Sequence, residues 1–300
     1  MQDLADNDGI RQIAAWKFKN EGVDKEMDWV AIEEPLEMKL RFGPAEKRQQ
    51  QTLAITMRTP GQDYDLLVGF LFTEGLIGRF EHIVSMRHVG QALNASAKNN
   101  ILLAELTPNF PFDPQQISRH FYTSSSCGVC GKTSIELVQT VSCYYPRPVH
   151  PKVSAETLSR LPNMLLGEQS LFQHTGGIHA AGLFAAASGR LVLLREDVGR
   201  HNALDKLIGA ALRQGQIPLR DHILLLSGRI SFELVQKAAM AGIPIVGAVG
   251  APSSLAIDMA SEHSMTLVGF LRNNRFNVYC GQNRINLQPN KRYEIKMHQQ

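Results

Sequence analysis

The chain has 300 residues, of which 44% are hydrophobic and 20% charged, and its formal net charge at pH 7 is +3. This length predicts about two domains and enough buried surface to fold without a disulfide or metal staple. The small charge and the lack of any Lys/Arg block argue against nucleic acid as a partner. No run of 18 or more apolar residues occurs, so neither a transmembrane helix nor a membrane partner is expected.

Residues 1–10 read as a loose polar tail, and the Asp3, Asp6 and Asp8 carboxyls are foreign to a signal peptide. A cytoplasmic chain with reduced thiols is expected. The pattern predicts a tail and leading strand over 1–24 and a strand-rich N-terminal α+β domain over 25–122. Leu36, Met38, Leu40 and Phe42 alternate with polar residues, as do Leu53, Ile55 and Met57, which is the period of half-buried strands. A helix is expected after Asp63 as its N-cap, with Leu66, Leu67, Phe70 and Leu71 on one face. The run Asn109-Phe110-Pro111-Phe112-Asp113-Pro114 breaks the pattern.

Residues 123–150 are expected to form a loop and linker. Their centre, Ser126-Cys127-Gly128-Val129-Cys130-Gly131, is small and aperiodic, and a short helix is expected from Ile135. A thiolate is the nucleophile of sulfur chemistry, and a Cys-x-x-Cys at a helix start stabilises one. Glu136 is the sole acid between Pro114 and Ala155, against Arg119, Lys132, Arg147 and Lys152, so a lowered thiol pKa is expected at Cys127. Three readings of the pair stand open: a persulfide carrier, a dithiol redox centre, and a zinc site completed by Cys143 and His150. Cys143 and Cys280 are isolated beside apolar runs and read as buried.

From about 175 onward, within a predicted α/β domain over 151–300, strands and helices alternate. Ile178–Ala187 and Leu191–Glu196 flank the hairpin turn Ser188-Gly189-Arg190. Helices are expected over Asn202–Arg213, after Ser231 up to Gly242, and from Pro252. Apolar strands are expected at Ile223–Leu226, Ile245–Val249 and Met265–Phe270, with a further strand at Phe276–Cys280. This rhythm predicts a parallel or mixed sheet covered on both faces. Ligands of such sheets settle outside the carboxyl ends of the strands. Glu196–Asn202, Ser227-Gly228-Arg229 and Gly250–Ser254 should meet there, with Arg200 and Arg229 suited to phosphate oxygens. Ordinary strand-to-helix turns use the same residue types. Phe270–Arg275 holds two arginines and two amides that suit a phosphate and a base edge, and it also reads as a solvated turn. His179 is followed by Ala181 where a zinc deaminase needs Glu, and the only Cys-x-x-Cys precedes it, so deaminase chemistry is not expected.

The cysteine stretch, Thr175–Ala181, Glu196-Asp197-Val198-Gly199-Arg200-His201-Asn202-Ala203-Leu204-Asp205-Lys206, Ser227–Glu233 and Thr266–Phe270 together resemble the FdhD family of formate dehydrogenase accessory proteins. The resemblance spans roughly residues 25–280. It implies a sulfurtransferase that takes persulfide sulfur from a cysteine desulfurase and delivers it to bis-molybdopterin guanine dinucleotide, whose guanine end GDP mimics. The sulfurated cofactor then enters apo-formate dehydrogenase. It further implies Cys127 as the persulfide cysteine, Cys130 as its assistant, and no metal. The implied cofactor-binding residues are Phe270, Leu271, Arg272, Asn273, Asn274 and Arg275. The implied fold is a cytidine-deaminase-like α/β core with a mixed sheet plus the smaller N-terminal domain, as a homodimer. A dithiol–disulfide oxidoreductase and a non-catalytic cofactor chaperone are the competing functions.

Overall fold

A computed structural model describes residues 9–19, 22–89, 99–108, 110–113, 144, 146–272 and 274–287. The Cys-x-x-Cys pair, Cys143, Asn273 and the short helix expected near Ile135 lie outside these residues.

The described chain begins with two ten-residue strands, β1 (Ile10–Lys19) and β2 (Gly22–Ala31), paired antiparallel as a separate ribbon. The register puts Ala14, Trp16, Phe18, Val23 and Met27 on one face. Trp16 and Phe18 remain 72% and 74% exposed there. Lys17–Asp28 and Lys19–Glu26 ion pairs occupy the other face.

A four-stranded sheet follows, in the order β4-β3-β6-β5. Its strands are β3 (Glu34–Phe42), β4 (Gln49–Arg58), β5 (Ile83–His88) and β6 (Ile101–Leu106). Leu36, Met38, Leu40 and Phe42 are buried, as their alternation predicts. On β4 only Leu53 follows the expected pattern. Ile55 and Met57 are exposed. The cause is a register shift: Met38 pairs with Ala54 and Lys39 with Thr52, so Leu53 is the extra residue of a bulge. Beyond it every side chain changes face, and Ala54, Thr56 and Arg58 take the side that Leu36 and Met38 occupy.

Helix α1 (Asp63–Thr73) packs between this sheet and the rest of the molecule. Asp63 is not its N-cap. Gln62, in a left-handed conformation, takes that position without a side-chain cap bond, because Asp63 is committed to a buried two-pronged pair with Arg58 at 3.0 Å.

The second half builds a six-stranded sheet in the order β13-β12-β11-β10-β8-β9. These strands are β8 (His179–Ala185), β9 (Leu191–Asp197), β10 (His222–Leu226), β11 (Ile245–Ala248), β12 (Thr266–Arg272) and β13 (Arg275–Cys280). β10, β11 and β12 are mutually parallel, and β8 runs antiparallel to both of its neighbours. The sheet is therefore mixed. Short strands β7 (Val153–Ser154) and β14 (Ile285–Asn286) pair beside it. One face is covered by α4 (Arg200–Arg213), α5 (Phe232–Met240) and α6 (Ser254–Glu262), whose apolar residues share one core with α1 and the four-stranded sheet. The other face carries α2 (Ala155–Glu168) through Leu158, Leu161 and Leu165, and α3 (Ser170–Thr175) follows. α2 follows the Pro-rich linker and lies in a stretch for which the sequence pattern offers no element. Its start is capped by Ser154, which accepts from the Thr157 amide at 3.0 Å. Among the described residues, no helix is long and apolar enough to cross a membrane.

α1 and α4 approach until their backbones touch. A Cβ on Gly69 would meet the Asp205 carbonyl, and one on Gly209 the Asp65 carbonyl. This close crossing joins the two halves and fixes the first turn of α4 relative to both sheets.

Candidate functional site

The C-terminal edge of the six-stranded sheet is where the sequence places a ligand, and four loops do converge there. β9, β10, β11 and β12 all end at this edge, and β8 begins at it. The loops are stitched by backbone. Ser227 N donates to Ala180 O at 3.0 Å, Gly250 N to Gly228 O at 3.1 Å, and Phe270 N to Gly250 O at 3.0 Å. Glycine is required at one of these steps and gives room to the His179 ring at another. A Cβ on Gly250 would lie 2.8 Å from the Gly228 carbonyl oxygen, and one on Gly228 would lie 3.2 Å from His179 Nδ1.

The stretch Glu196–Lys206 splits into inward and outward residues. Asp197 is fully buried, 2.7 Å from Lys206 Nζ. It also accepts from the Gly199 amide at 2.9 Å, Asn202 Nδ2 at 3.1 Å and the Thr59 amide at 3.2 Å. Lys206 donates onward to Thr59 O at 2.8 Å, and Asn202 to Met57 O at 2.8 Å. These residues bind the end of β4 to the start of α4. Burial pushes the Asp197 carboxyl up and the Lys206 charge opposes it; protonated or paired, it offers no net negative charge to the edge. Asp205 makes a second buried pair with Lys237 at 3.0 Å. Glu196 accepts from the Leu171 and Phe172 amides, both at 3.0 Å, and so caps α3.

The outward residues are His179, Arg200 and His201. His201 Nε2 lies 3.1 Å from Glu233 Oε2 and 3.3 Å from Ser231 Oγ. The hydrogen bond from His201 holds the Glu233 carboxyl below its ordinary value. Ser231 occupies the N-cap of α5 but makes no cap bond, and its hydroxyl donates to Glu233. His179 is half-buried, and burial, then the charges of Arg200 and His201, push its imidazole below the ordinary histidine value, with Asp197 opposing. Its ring makes no hydrogen bond among the described residues. Nor does the half-buried Arg200 guanidinium, whose Nε is buried without a partner. Arg229, Arg272 and Arg275 are exposed, again without a side-chain partner among the described residues.

The acids of these loops, Glu196, Asp197 and Glu233, are thus all engaged internally, while four arginines are not. An edge so arranged attracts a polyanion. The sequence shows these arginines; the engagement of the three acids depends on contacts that only the fold brings together.

Phe270, Leu271 and Arg272 close β12 and Arg275 opens β13, so this segment stands where the two strands of the hairpin meet, before the strand expected at Phe276–Cys280. Phe270 stands 36% exposed with φ +54°, and Asn274 has φ +57°. Leu271 is fully buried in the core against α2. Its side chain serves packing, so only its backbone faces any ligand. Cys280, half-buried, lies 3.5 Å from Met265 O, and burial pushes its thiol up. Among the described residues no group of three or more His, Cys, Asp or Glu side chains is placed to hold a metal ion.

Residues 32–286 match the family model described as the FdhD/NarQ family. The chain belongs to the FdhD/NarQ family. Curated relatives named "Sulfur carrier protein FdhD" are similar over most of the chain. The one from Nocardia farcinica is 48% identical over 266 residues, covering 88% of this chain and 90% of the relative. The one from Streptomyces avermitilis is 45% identical over 273 residues, covering 90% and 94%. The one from the archaeon Sulfurisphaera tokodaii is 40% identical over 276 residues, covering 92% and 99%. A crystal structure from Desulfotalea psychrophila, provisionally assigned as a formate dehydrogenase accessory protein, superposes with a TM-score of 0.67 at 23% identity. It covers 93% of this chain and 100% of its own, and it shares the FdhD fold.

Proposed function

We propose that this FdhD-family chain is a cytoplasmic sulfurtransferase serving formate dehydrogenase. It takes sulfur from a cysteine desulfurase as a persulfide on Cys127, assisted by Cys130, and passes it to bis-molybdopterin guanine dinucleotide before that substrate enters the apo-enzyme. The loading step is a thiol exchange. The Cys127 thiolate attacks the outer sulfur of the donor's cysteine persulfide, the donor's S–S bond breaks, and the donor cysteine leaves as a thiolate.

The observation that carries this reading is the charge imbalance at the sheet edge. A cofactor carrying guanine nucleotide diphosphates is a polyanion, and the loops offer it Arg200, Arg229, Arg272 and Arg275 with no competing free carboxylate among their described residues. The turn from Phe270 to Arg275, Asn273 included, would take the guanine end, with an exposed ring for stacking and amides for the base edge. The mixed, doubly covered sheet supports the cytidine-deaminase-like reading of the core, without the proton-shuttling Glu of a deaminase.

The ends of the cysteine segment support delivery. Phe112 packs against Phe42 with tilted rings, centroids 4.8 Å apart, and Tyr144 lies against Gly242. Fourteen residues lead from Asp113 to Cys127, a contour of at most about 50 Å. A seven-residue strand such as β12 is about 23 Å long, so this contour exceeds the length of the sheet's strands. Replacing Cys127 by Ala is expected to abolish formate dehydrogenase activity in a strain relying on this protein while leaving GDP binding intact. Full activity in that strain would overturn the assignment.

We also propose the homodimer that the family resemblance implies, formed by a second copy on the apolar face of the β1–β2 ribbon. A lone two-stranded ribbon is marginal in water, and the Lys17–Asp28 and Lys19–Glu26 pairs lie on the opposite face, leaving Lys25, over the Trp16 ring, as the charge on this one. Changing Trp16 and Phe18 together to Ser is expected to yield monomers in sedimentation velocity; an unchanged dimer would move the interface elsewhere.

A further inference from the structure

The apolar face of the β1–β2 ribbon and a recess near its foot both lie open. The foot is fixed to the body. Ile32 N donates to Gly9 O at 2.8 Å, and a Cβ on Gly9 would lie 3.2 Å from the Leu171 side chain of α3. Where α2 meets α3, an open recess of about 650 Å³ is lined by Asn163, Leu166, Gly167, Phe172, Gln173 and Gly176, a volume with room for two aromatic side chains. A Cβ on Gly167 or on Gly176 would meet nothing within 4 Å. The core face of α2 is already supplied by Leu158, Leu161 and Leu165, while Met164 and Leu166 stand exposed. Trp16 lies seven residues beyond Gly9, about 23 Å along the strand. The aromatics of the ribbon thus stand away from the recess of their own chain and stay exposed.

We infer that this recess receives Trp16 and Phe18 of a second copy, each ribbon reaching across to the body of the other so that the contact is made twice. This inference rests on the dimer proposed above and adds its second surface. Area decides between exchange and a simple meeting of ribbons. An aromatic side chain buries about 150–250 Å², so two ribbons pressed face to face bury about 600–1,000 Å² through these four rings. A stable specific interface buries about 1,200–2,000 Å². Laying each ribbon on the other copy's recess covers four patches instead of two and reaches that range. Direction agrees with area. A two-fold axis perpendicular to the ribbons sets them antiparallel and brings the tip of one to the foot of the other. The charges agree as well. Lys25, 5.9 Å over the Trp16 ring, is the charge of the ribbon face, and the exposed Glu168 follows Gly167 at the recess.

The test follows dimerisation of the full-length protein by sedimentation velocity. Gly167→Trp fills the recess from a position where the new side chain has open space, and Leu166→Asp places a charge in it. Each is expected to raise the dimer dissociation constant at least about tenfold while keeping the circular dichroism of the parent. A tagged Gly167→Trp chain, whose ribbon is intact, is expected to capture an untagged Trp16→Ser, Phe18→Ser chain, whose recess is intact, because the mixed pair keeps one of the two contacts. Neither variant should capture its own kind. A mixed pair that fails to form would overturn the exchange. If both recess variants dimerise as the parent does while the ribbon variant is monomeric, the recess is wrong and the ribbon dimer stands. Recess variants that keep the dimer but lose formate dehydrogenase activity would assign the recess to a different protein. If the ribbon variant also stays dimeric, both readings fall.

Discussion

One eleven-residue stretch, Glu196–Lys206, supplies both the seam between the two halves of the molecule and the open edge of the six-stranded sheet. At the seam every charge is matched: Asp197 with Lys206 at 2.7 Å and Asp205 with Lys237 at 3.0 Å, both pairs buried. At the edge Arg200 meets no acceptor among the described residues. The contrast separates two uses of charged residues that look alike in a sequence. A buried charge with its partner specifies a structure, while a cation kept from any carboxylate is available to a ligand.

Breaking the seam should have the largest effect. Lys206→Ala leaves Asp197 buried without its cation, and unfolding in urea should show a loss of about 3–5 kcal/mol. A loss under about 1 kcal/mol would mean that Asp197 is stable without its cation and that the pairing is not what joins the halves. The edge should respond oppositely: Arg200 and Arg229 variants should change ligand binding and leave stability within about 0.5 kcal/mol.

The smallest expected effect comes from the His201–Glu233 contact. The folded carboxyl of Glu233 sits below its ordinary value because His201 donates to it. The unfolded chain therefore takes up that proton first as pH falls. The contribution is complete above the ordinary carboxylate range and is lost as pH falls through it. Both side chains are about a third exposed, so the term is only about 0.2–1 kcal/mol. Comparing the parent with Glu233→Gln, the stability difference should shrink between pH 6 and the acid range, and a difference that grows on acidification would contradict the pairing.

The sequence reveals the second half more readily than the first. Ile223–Leu226, Ile245–Val249 and Met265–Phe270 are short apolar runs between helices, and each is a strand in the structure. Their order in the sheet, with β8 inserted antiparallel between β9 and β10, is a tertiary choice that no local pattern encodes. In the first half, a single bulge at Leu53 turns Ile55 and Met57 outward, and periodicity cannot anticipate an extra residue. Asp63 has the chemistry of an N-cap, yet Arg58 captures it. α2 is disguised by Pro162 and by the prolines before it, although Ser154 and the spacing of Leu158, Leu161 and Leu165 mark it. The convergence of Glu196–Asn202, Ser227–Arg229 and Gly250–Ser254 is foreseeable from strand order alone. The division of labour within Glu196–Lys206 is not, because it depends on Thr59 and Met57, more than 130 residues away in the chain.

The most direct test is the mass of the peptide carrying Cys127 after incubation with a cysteine desulfurase and cysteine. A persulfide carrier gains one sulfur atom there, and the gain disappears on treatment with a reductant. A peptide that instead loses two hydrogens, or stays unmodified while the desulfurase is active, would contradict sulfur transfer through this position.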